Sequence, residues 1–123
     1  MKLVVGGQMD KKLIADLLKN HAPGAELLVM SGIEATMAVK NKRADYYFGS
    51  CASGSGGDLG IAAGILGRDK CVIVSKPDNV LSQEQIAAEV RAGKIAFGFM
   101  SADAEKVIPH IIKAINEDGA LPA

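Results

Sequence analysis

The fold class is predicted most clearly by residues 44–74, whose sequence is ADYYFGSCASGSGGDLGIAAGILGRDKCVIV. ADYYFGS (44–50) predicts a buried strand, and a glycine-rich loop leads from it into a helix from about residue 58 to residue 66. CVIVSK (71–76) then predicts the next strand. A strand, a helix and a second strand in this order are typical of a parallel pair with a helical crossover. This stretch therefore predicts an α/β protein.

The same alternation of short apolar runs and helical periodicity covers the rest of the chain. Further strands are predicted at 2–7, 25–31 and 94–100, each followed by a helix. Strands that are hydrophobic throughout and separated by helices predict a parallel sheet covered on both faces. The expected fold is a single three-layer, doubly wound domain at 1–118, Rossmann-like or flavodoxin-like, with a mainly parallel five-stranded sheet and a short C-terminal tail at 119–123.

Helix starts and one helix irregularity are also predicted. Ser31 with Glu34, and Ser82 with Gln85, have the spacing of a capping box, so a helix should begin after each serine. Pro109 lies within the last helical pattern and predicts a kink there.

Composition and charge argue against several classes of function. Fourteen basic side chains balance fourteen acidic ones, so the chain lacks the net positive charge of a nucleic-acid-binding or anionic-membrane-binding protein. No apolar run reaches the roughly 18 residues of a membrane span. The apolar run at the N-terminus has five residues at most, which is too short for a signal peptide, so a cytoplasmic protein is expected. Two cysteines are too few for a disulfide framework, and a reducing compartment would keep them as thiols. No His, Cys and Asp cluster has metal-ligand spacing, so no metal and no other cofactor is expected.

The predicted ligand site lies at the carboxyl edge of the sheet, where the C-terminal ends of the parallel strands meet. The loop SCASGSGG (50–57) precedes a helix, so several unpaired N–H groups face whatever binds there, and glycines allow close approach. A small anionic metabolite, phosphorylated or carboxylated, suits these donors. The predicted binding residues are Ser50, Ser53, Gly54, Ser55, Gly56, Gly57 and Asp58, with Lys76, Gln8 and Asp10 as neighbours.

Two other hypotheses use the same stretch of sequence. The electrostatics of the loop favour the thiolate of Cys51, which makes it a candidate catalytic base or nucleophile. The glycines of the helix, including Gly60 and Gly64, recur every four residues and suit close packing on the sheet or on a partner helix. In the second case the chain is an assembly protein, and a homo-oligomer is expected. Cys71 opens the fourth strand, roughly 17–20 Å from Cys51, so the two should not pair.

The sequence resembles two protein families, one over nearly the whole chain and one locally. Over nearly the whole chain, and most clearly at DYYFGSCASGSG and GKIAFGF, the sequence resembles the YhfU-like family of uncharacterised bacterial proteins, which implies a small cytosolic protein and no established activity. Locally, ADYYFGSCASGSG is similar to type B ribose-5-phosphate isomerases, whose pattern has A-D, five residues, then C-G-T-G-x-G. That resemblance implies that Cys51 moves the proton and that the backbone of 53–57 holds the enediolate. The family's Asp-His pair after the first strand is replaced here by GGQMD, and its Asn-Lys after the loop by GILG.

Overall fold

Five parallel strands form the central sheet of the computed structural model, which describes residues 1–7, 10–51 and 57–118. The strands are β1 (Lys2–Gly7), β2 (Glu26–Val29), β3 (Tyr46–Cys51), β4 (Cys71–Ile73) and β7 (Ala96–Met100). Their order across the sheet is β2-β1-β3-β7-β4, and every neighbouring pair is parallel. The predicted fold class is confirmed. Compared with the flavodoxin-like order, the last two strands have exchanged places.

Helices connect the strands on both faces of this sheet. In the described residues they are α1 (Lys11–His21), α2 (Gly32–Lys40), α3 (Gly57–Leu66), α4 (Gln83–Arg91) and α5 (Ala104–Asp118). Two short 3₁₀ turns, Arg68–Lys70 and Ser101–Asp103, precede β4 and α5. In the described residues no helix is both long enough and apolar enough to cross a membrane.

The direction of each crossover explains which face a helix covers. α2 and α3 lead towards the β4 side of the sheet, and both pack on the face that presents Val4 and Tyr47. α1 and α4 lead in the opposite direction, and they pack with α5 on the face that presents Leu3 and Phe48. This distribution is the one that right-handed crossovers require.

The core is largest on the α1/α4/α5 face. Phe97 of β7 is fully buried there, and its ring centroid lies 6.1 Å from that of Tyr46 and 5.6 Å from that of Phe48. Ile86, Ile108 and other aliphatic side chains of α4 and α5 complete this layer. The aromatic contacts join β7 to β3.

Both predicted helix starts are confirmed. The hydroxyl of Ser31 accepts a hydrogen bond from the N–H of Glu34 at 3.3 Å. Ser82 and Gln85 form the complete reciprocal capping box at the start of α4. α5 continues through Pro109.

The fourth strand is shorter than the sequence predicts. β4 ends at Ile73, and Ser75–Lys76 (β5) instead pairs antiparallel with Asn79–Val80 (β6). The two residues between them, Pro77 and Asp78, form the turn of this hairpin, and proline cannot donate to a continuing ladder. The chain therefore leaves the sheet before the end of the predicted strand.

Candidate functional site

The carboxyl edge of the sheet brings β1 and β3 together at the point where the strand order reverses. From β1 the chain first moves outward to β2 and then returns to the other side of β1 to form β3. Gly7 of β1 pairs with Ser50 of β3, and Cys51 pairs with Met100 of β7. Ligands of open α/β sheets bind at such a reversal, outside the carboxyl ends of the strands. Ser50 and Cys51 therefore lie where the sequence predicts the site, and Ser50 is buried.

Several predicted site residues fall outside what the structure describes. Gln8, Ser53, Gly54, Ser55 and Gly56 lie outside the described residues. For Cys51, Gly57 and Asp58 the described feature is the backbone: Cys51 ends β3, and Gly57 and Asp58 begin α3. The prediction that these residues bind an anion stays a prediction.

A buried tyrosine supports the floor of this edge. Tyr47 is fully buried on the α2/α3 face, next to the register pair Gly6 and Gly49. A methyl group placed on Gly49 would lie 2.7 Å from Cε1 of Tyr47, and one placed on Gly6 would lie 2.9 Å from Cε2. The ring therefore occupies the space above both glycines. Sequence analysis missed this role, because the two glycines lie on different strands.

Two carboxylates fix the loops around the edge. The hydroxyl of Ser101, after β7, donates to the carboxylate of Asp10, which has a left-handed backbone with φ 51°. The buried hydroxyl of Ser75 donates to Asp103 and accepts the N–H of Met100 at 3.4 Å. The loops that follow β1, β4 and β7 are thus tied together by hydroxyl–carboxylate hydrogen bonds.

Lys11 adds a further connection on the β2 side. Its ammonium donates to the carbonyl oxygen of Met30 at 2.8 Å, which joins the start of α1 to the segment after β2. Asp10, directly before it, was predicted to neighbour the ligand. Its exposed carboxylate lies at the carboxyl edge, as predicted, and serves there as the acceptor for Ser101.

Lys76 lies in a cleft between α3 and β4. The cleft has a volume of about 410 Å³ and is lined by Gly60, Ala63, Arg68, Cys71, Val72, Ile73 and Lys76. Lys76 and Gly60 therefore border the same space, which places the exposed lysine beside the first half of α3. Among the described residues neither Lys76 nor Arg68 forms an ion pair. Sequence analysis predicted Lys76 as a site residue but missed Arg68, which lies in a turn without a distinctive motif.

The glycines of α3 do not pack on the sheet. Gly60 and Gly64 are exposed, and a methyl group on either would have no neighbour within 4 Å. Of the two alternatives that the sequence left open, packing on the chain's own sheet is wrong for these two positions. A small-residue surface facing outward is what remains.

Cys71 lies at the opposite end of the sheet from Cys51. It pairs with Ala96 at the amino end of β7, whereas Cys51 pairs with Met100 at the carboxyl end. Partial burial raises the pKa of the Cys71 thiol above its ordinary value; the charge of Lys94 opposes this shift and that of Asp69 adds to it. Cys71 is accordingly a half-buried thiol that packs beside the core, in agreement with its predicted structural role.

Comparisons with known proteins agree with this fold. A model of the family described as "Protein of unknown function DUF2620" matches residues 1–115. "Uncharacterized protein YhfU" of Escherichia coli K12 and of Shigella flexneri is 34% identical over 113 residues, covering 91% of this chain and 97% of the relative. A structure of ribose-5-phosphate isomerase B from Clostridium thermocellum superimposes with a TM-score of 0.63 over 98% of this chain and 84% of that one. At 17% sequence identity, that likeness concerns the fold.

Proposed function

We propose that this chain, which belongs to the family described as "Protein of unknown function DUF2620", binds a small anionic metabolite at the carboxyl edge of its sheet, beside the loop that follows β3. The bound group is a phosphate or a carboxylate. Cytosolic residence belongs to the same proposal, because two cysteines at opposite ends of the sheet suit a reducing compartment.

The observation that carries the proposal is the position of Lys76 beside the first half of α3, the helix that follows β3. The N-terminus of α3 presents backbone N–H groups and the positive end of the helix dipole. α3 starts at Gly57, a few residues after the carboxyl end of β3, and Lys76 borders the same helix at Gly60. Helix dipole and ammonium therefore act on one region, and both favour negative charge.

The fixed loops around the edge support the proposal further. The hydroxyl–carboxylate hydrogen bonds of Ser101 with Asp10 and of Ser75 with Asp103 hold three loops in place before any ligand arrives. Binding then costs less ordering of the protein, which raises the affinity for a small ligand. The carboxylates at the same time repel anions from their own side, so the ligand should approach from the α3 side.

Calorimetric titration with inorganic phosphate and with ribose 5-phosphate tests the proposal. The wild-type protein should bind at least one of them at millimolar concentration, and more weakly as salt is added. Lys76→Gln should weaken binding about tenfold, since it removes one charged hydrogen bond. Lys106→Gln, an exposed lysine on α5 on the opposite face, is the matched control. Equal affinities of the two variants would contradict the role of Lys76, and no binding to either anion would contradict the proposal.

The likeness in fold to a ribose-5-phosphate isomerase favours a second candidate function, a cysteine-dependent isomerase of sugar phosphates. Cys51 would act from the carboxyl end of β3. Its thiolate would take the proton from the hydroxyl-bearing carbon beside the substrate carbonyl and return it to the former carbonyl carbon, while the hydroxyl proton moves to the former carbonyl oxygen and loop N–H groups stabilise the enediolate.

The two cysteines provide a matched pair of variants for this candidate. Cys51→Ala should abolish interconversion of an aldose phosphate and its ketose, and Cys71→Ala should leave it unchanged. The pH dependence of alkylation supplies a second readout, because a catalytic Cys51 should react with an apparent pKa below the ordinary 8.5 or so. An ordinary pKa together with no isomerisation would eliminate this candidate.

The exposed surface of α2 and α3 favours a third candidate, assembly into a homo-oligomer. Ile33 of α2 is 57% exposed and Ile61 of α3 is 38% exposed, next to the outward-facing Gly64. Ile33→Asp and Ile61→Asp should shift the molar mass measured by light scattering towards the monomer, while Lys106→Asp on the opposite face should not. A monomeric wild-type protein would rule out assembly through this surface.

A further inference from the structure

We propose that the cleft between α3 and β4 is a second ligand site, which shares Lys76 with the site at the loop after β3 and binds an elongated small molecule with an acidic group at each end. The cleft is open to solvent, and its volume of about 410 Å³ falls within the usual range for small-molecule sites. The proposal depends on residues that the structure describes and needs no ligand in the loop.

Small residues of α3 line one side of the cleft. Gly60 forms part of its wall, and Ala63, one turn further along α3, adds a single methyl group. A Cβ atom added at Gly60 would meet no atom within 4 Å, so a larger residue at this position would occupy space on the cleft side of α3. Small residues on this side of α3 therefore leave the cleft open.

The charges around the cleft select for an anion. Arg68 precedes β4 and Lys76 follows it, so the two cations flank opposite ends of the strand. Among the described residues that line the cleft, none is acidic, and neither cation is engaged in an ion pair. Two cations on one small cleft, neither of them ion-paired among the described residues, favour a ligand with two negative groups, and arginine adds planar, paired donors suited to carboxylate or phosphate.

The floor between the two cations is uncharged. Cys71, Val72 and Ile73 line it, and the thiol of Cys71 is held protonated because burial raises its pKa. From Cys71 to Lys76, along this floor, an extended chain spans at most about 16 Å. A dianion with an uncharged body of several carbon atoms matches this arrangement.

A small molecule fits better than an acidic peptide or a second copy of the chain. β4 is the last strand of the described sheet, but it offers three residues for pairing, which is short for strand addition. Two copies paired antiparallel about Val72 would bring Arg68 of one against Lys76 of the other, and like charges oppose that pairing.

The test uses dicarboxylates of increasing length as probes: succinate, adipate, suberate and sebacate, with hexanoate and octanoate as single-charge controls. Binding is measured by calorimetry, and protection of Cys71 from alkylation is followed by peptide mapping. We expect suberate or sebacate to bind at millimolar concentration and to slow alkylation of Cys71. The monocarboxylates should bind at least about tenfold more weakly, because each lacks one charged contact.

Variants of residues inside and outside the cleft test whether dicarboxylates bind in the cleft. Gly60→Leu should abolish dicarboxylate binding by filling the cleft, whereas Gly64→Leu, on the same helix and equally unobstructed, should retain it. Arg68→Gln should weaken binding about tenfold and serves as the deciding variant if Gly60→Leu does not fold. Phosphate binding by Gly60→Leu and Arg68→Gln shows separately whether the loop site exists.

Three results would overturn the proposal. The first is that no dicarboxylate binds, and the second is that Gly60→Leu and Gly64→Leu bind equally well. The third is that octanoate or an acidic peptide binds as tightly as suberate, because either outcome removes the preference for a small dianion. Absence of phosphate binding alone would contradict the loop site and leave the cleft proposal standing.

Discussion

Replacing Gly49 with alanine should destabilise the protein, whereas the same replacement at Gly64 should stabilise it. The added methyl group at Gly49 would lie 2.7 Å from Cε1 and 2.9 Å from the hydroxyl oxygen of Tyr47. The tyrosine ring is fully buried and its other side faces Gly6, where a methyl group would lie 2.9 Å from Cε2. The ring therefore already occupies the space that a methyl group on either glycine would need.

The expected loss of stability follows from two opposing contributions. Overpacking of a buried site costs about 1–3 kcal/mol. Alanine also lowers the entropy of the unfolded chain, which offsets about 0.4–1 kcal/mol of that cost. A net loss of about 1–2 kcal/mol remains, and at about 2.1 cal/mol/K per residue for 123 residues it corresponds to a melting temperature about 4–8 °C lower.

The control substitution, Gly64→Ala, should raise the melting temperature. Gly64 lies within α3, and a methyl group there meets nothing within 4 Å. Alanine should therefore contribute its helix propensity, about 0.5–1 kcal/mol, and raise the melting temperature by about 2–4 °C. Differential scanning calorimetry measures the melting temperature of both variants. A shift in the same direction for the two, or an unchanged melting temperature for Gly49→Ala, would refute the account of Tyr47 and its glycines.

Three further predictions concern single contacts. Ser82→Ala removes the serine half of the capping box and should lower the unfolding free energy by about 1 kcal/mol in urea titrations, while Ser82→Asp should retain most of it. Ser75→Ala leaves Asp103 and the N–H of Met100 without their shared hydroxyl and should cost about 1–3 kcal/mol in the same assay; a neutral effect would show that the loops are not held by it. Burial raises the pKa of the Cys71 thiol, so the folded state binds the thiol proton more tightly than the unfolded state does. The resulting contribution to stability is complete below pH 9.0 and is lost as the pH rises further. Cys71→Ala should remove this contribution to the loss of stability at alkaline pH.

The local structure could be predicted from the sequence because its causes are local. The serine three residues before Glu34 or Gln85 satisfies N–H groups of the same helix, so spacing alone locates the helix start. Strand-like runs without polar alternation indicate burial on both faces, which was enough for the layered fold.

The order of the strands could not be predicted, because hydrophobic runs in the sequence indicate buried strands but not which strands are neighbours. β7 lies between β3 and β4, where Phe97 contacts Tyr46 and Phe48. That choice depends on side-chain packing across strands that are distant in sequence. The same reason hides the Gly6 and Gly49 pair beneath Tyr47.

The candidate site was predicted in part. Lys76 and Asp10 follow the carboxyl ends of β4 and β1, which the sequence predicts because parallel strands place their carboxyl ends together; ligand binding by them stays a prediction. Sequence analysis did not predict that Asp10 accepts a hydrogen bond from Ser101, or that Arg68 joins Lys76 in a cleft, because both depend on where turns place exposed side chains.

Amide chemical shifts of ¹⁵N-labelled protein report whether an anion binds at the loop after β3. During titration with phosphate and then with ribose 5-phosphate, the anion-binding account predicts saturable shifts for residues 50–58 that are larger than those for α5. Unchanged amide resonances across residues 50–58 at millimolar concentrations of both anions would contradict it.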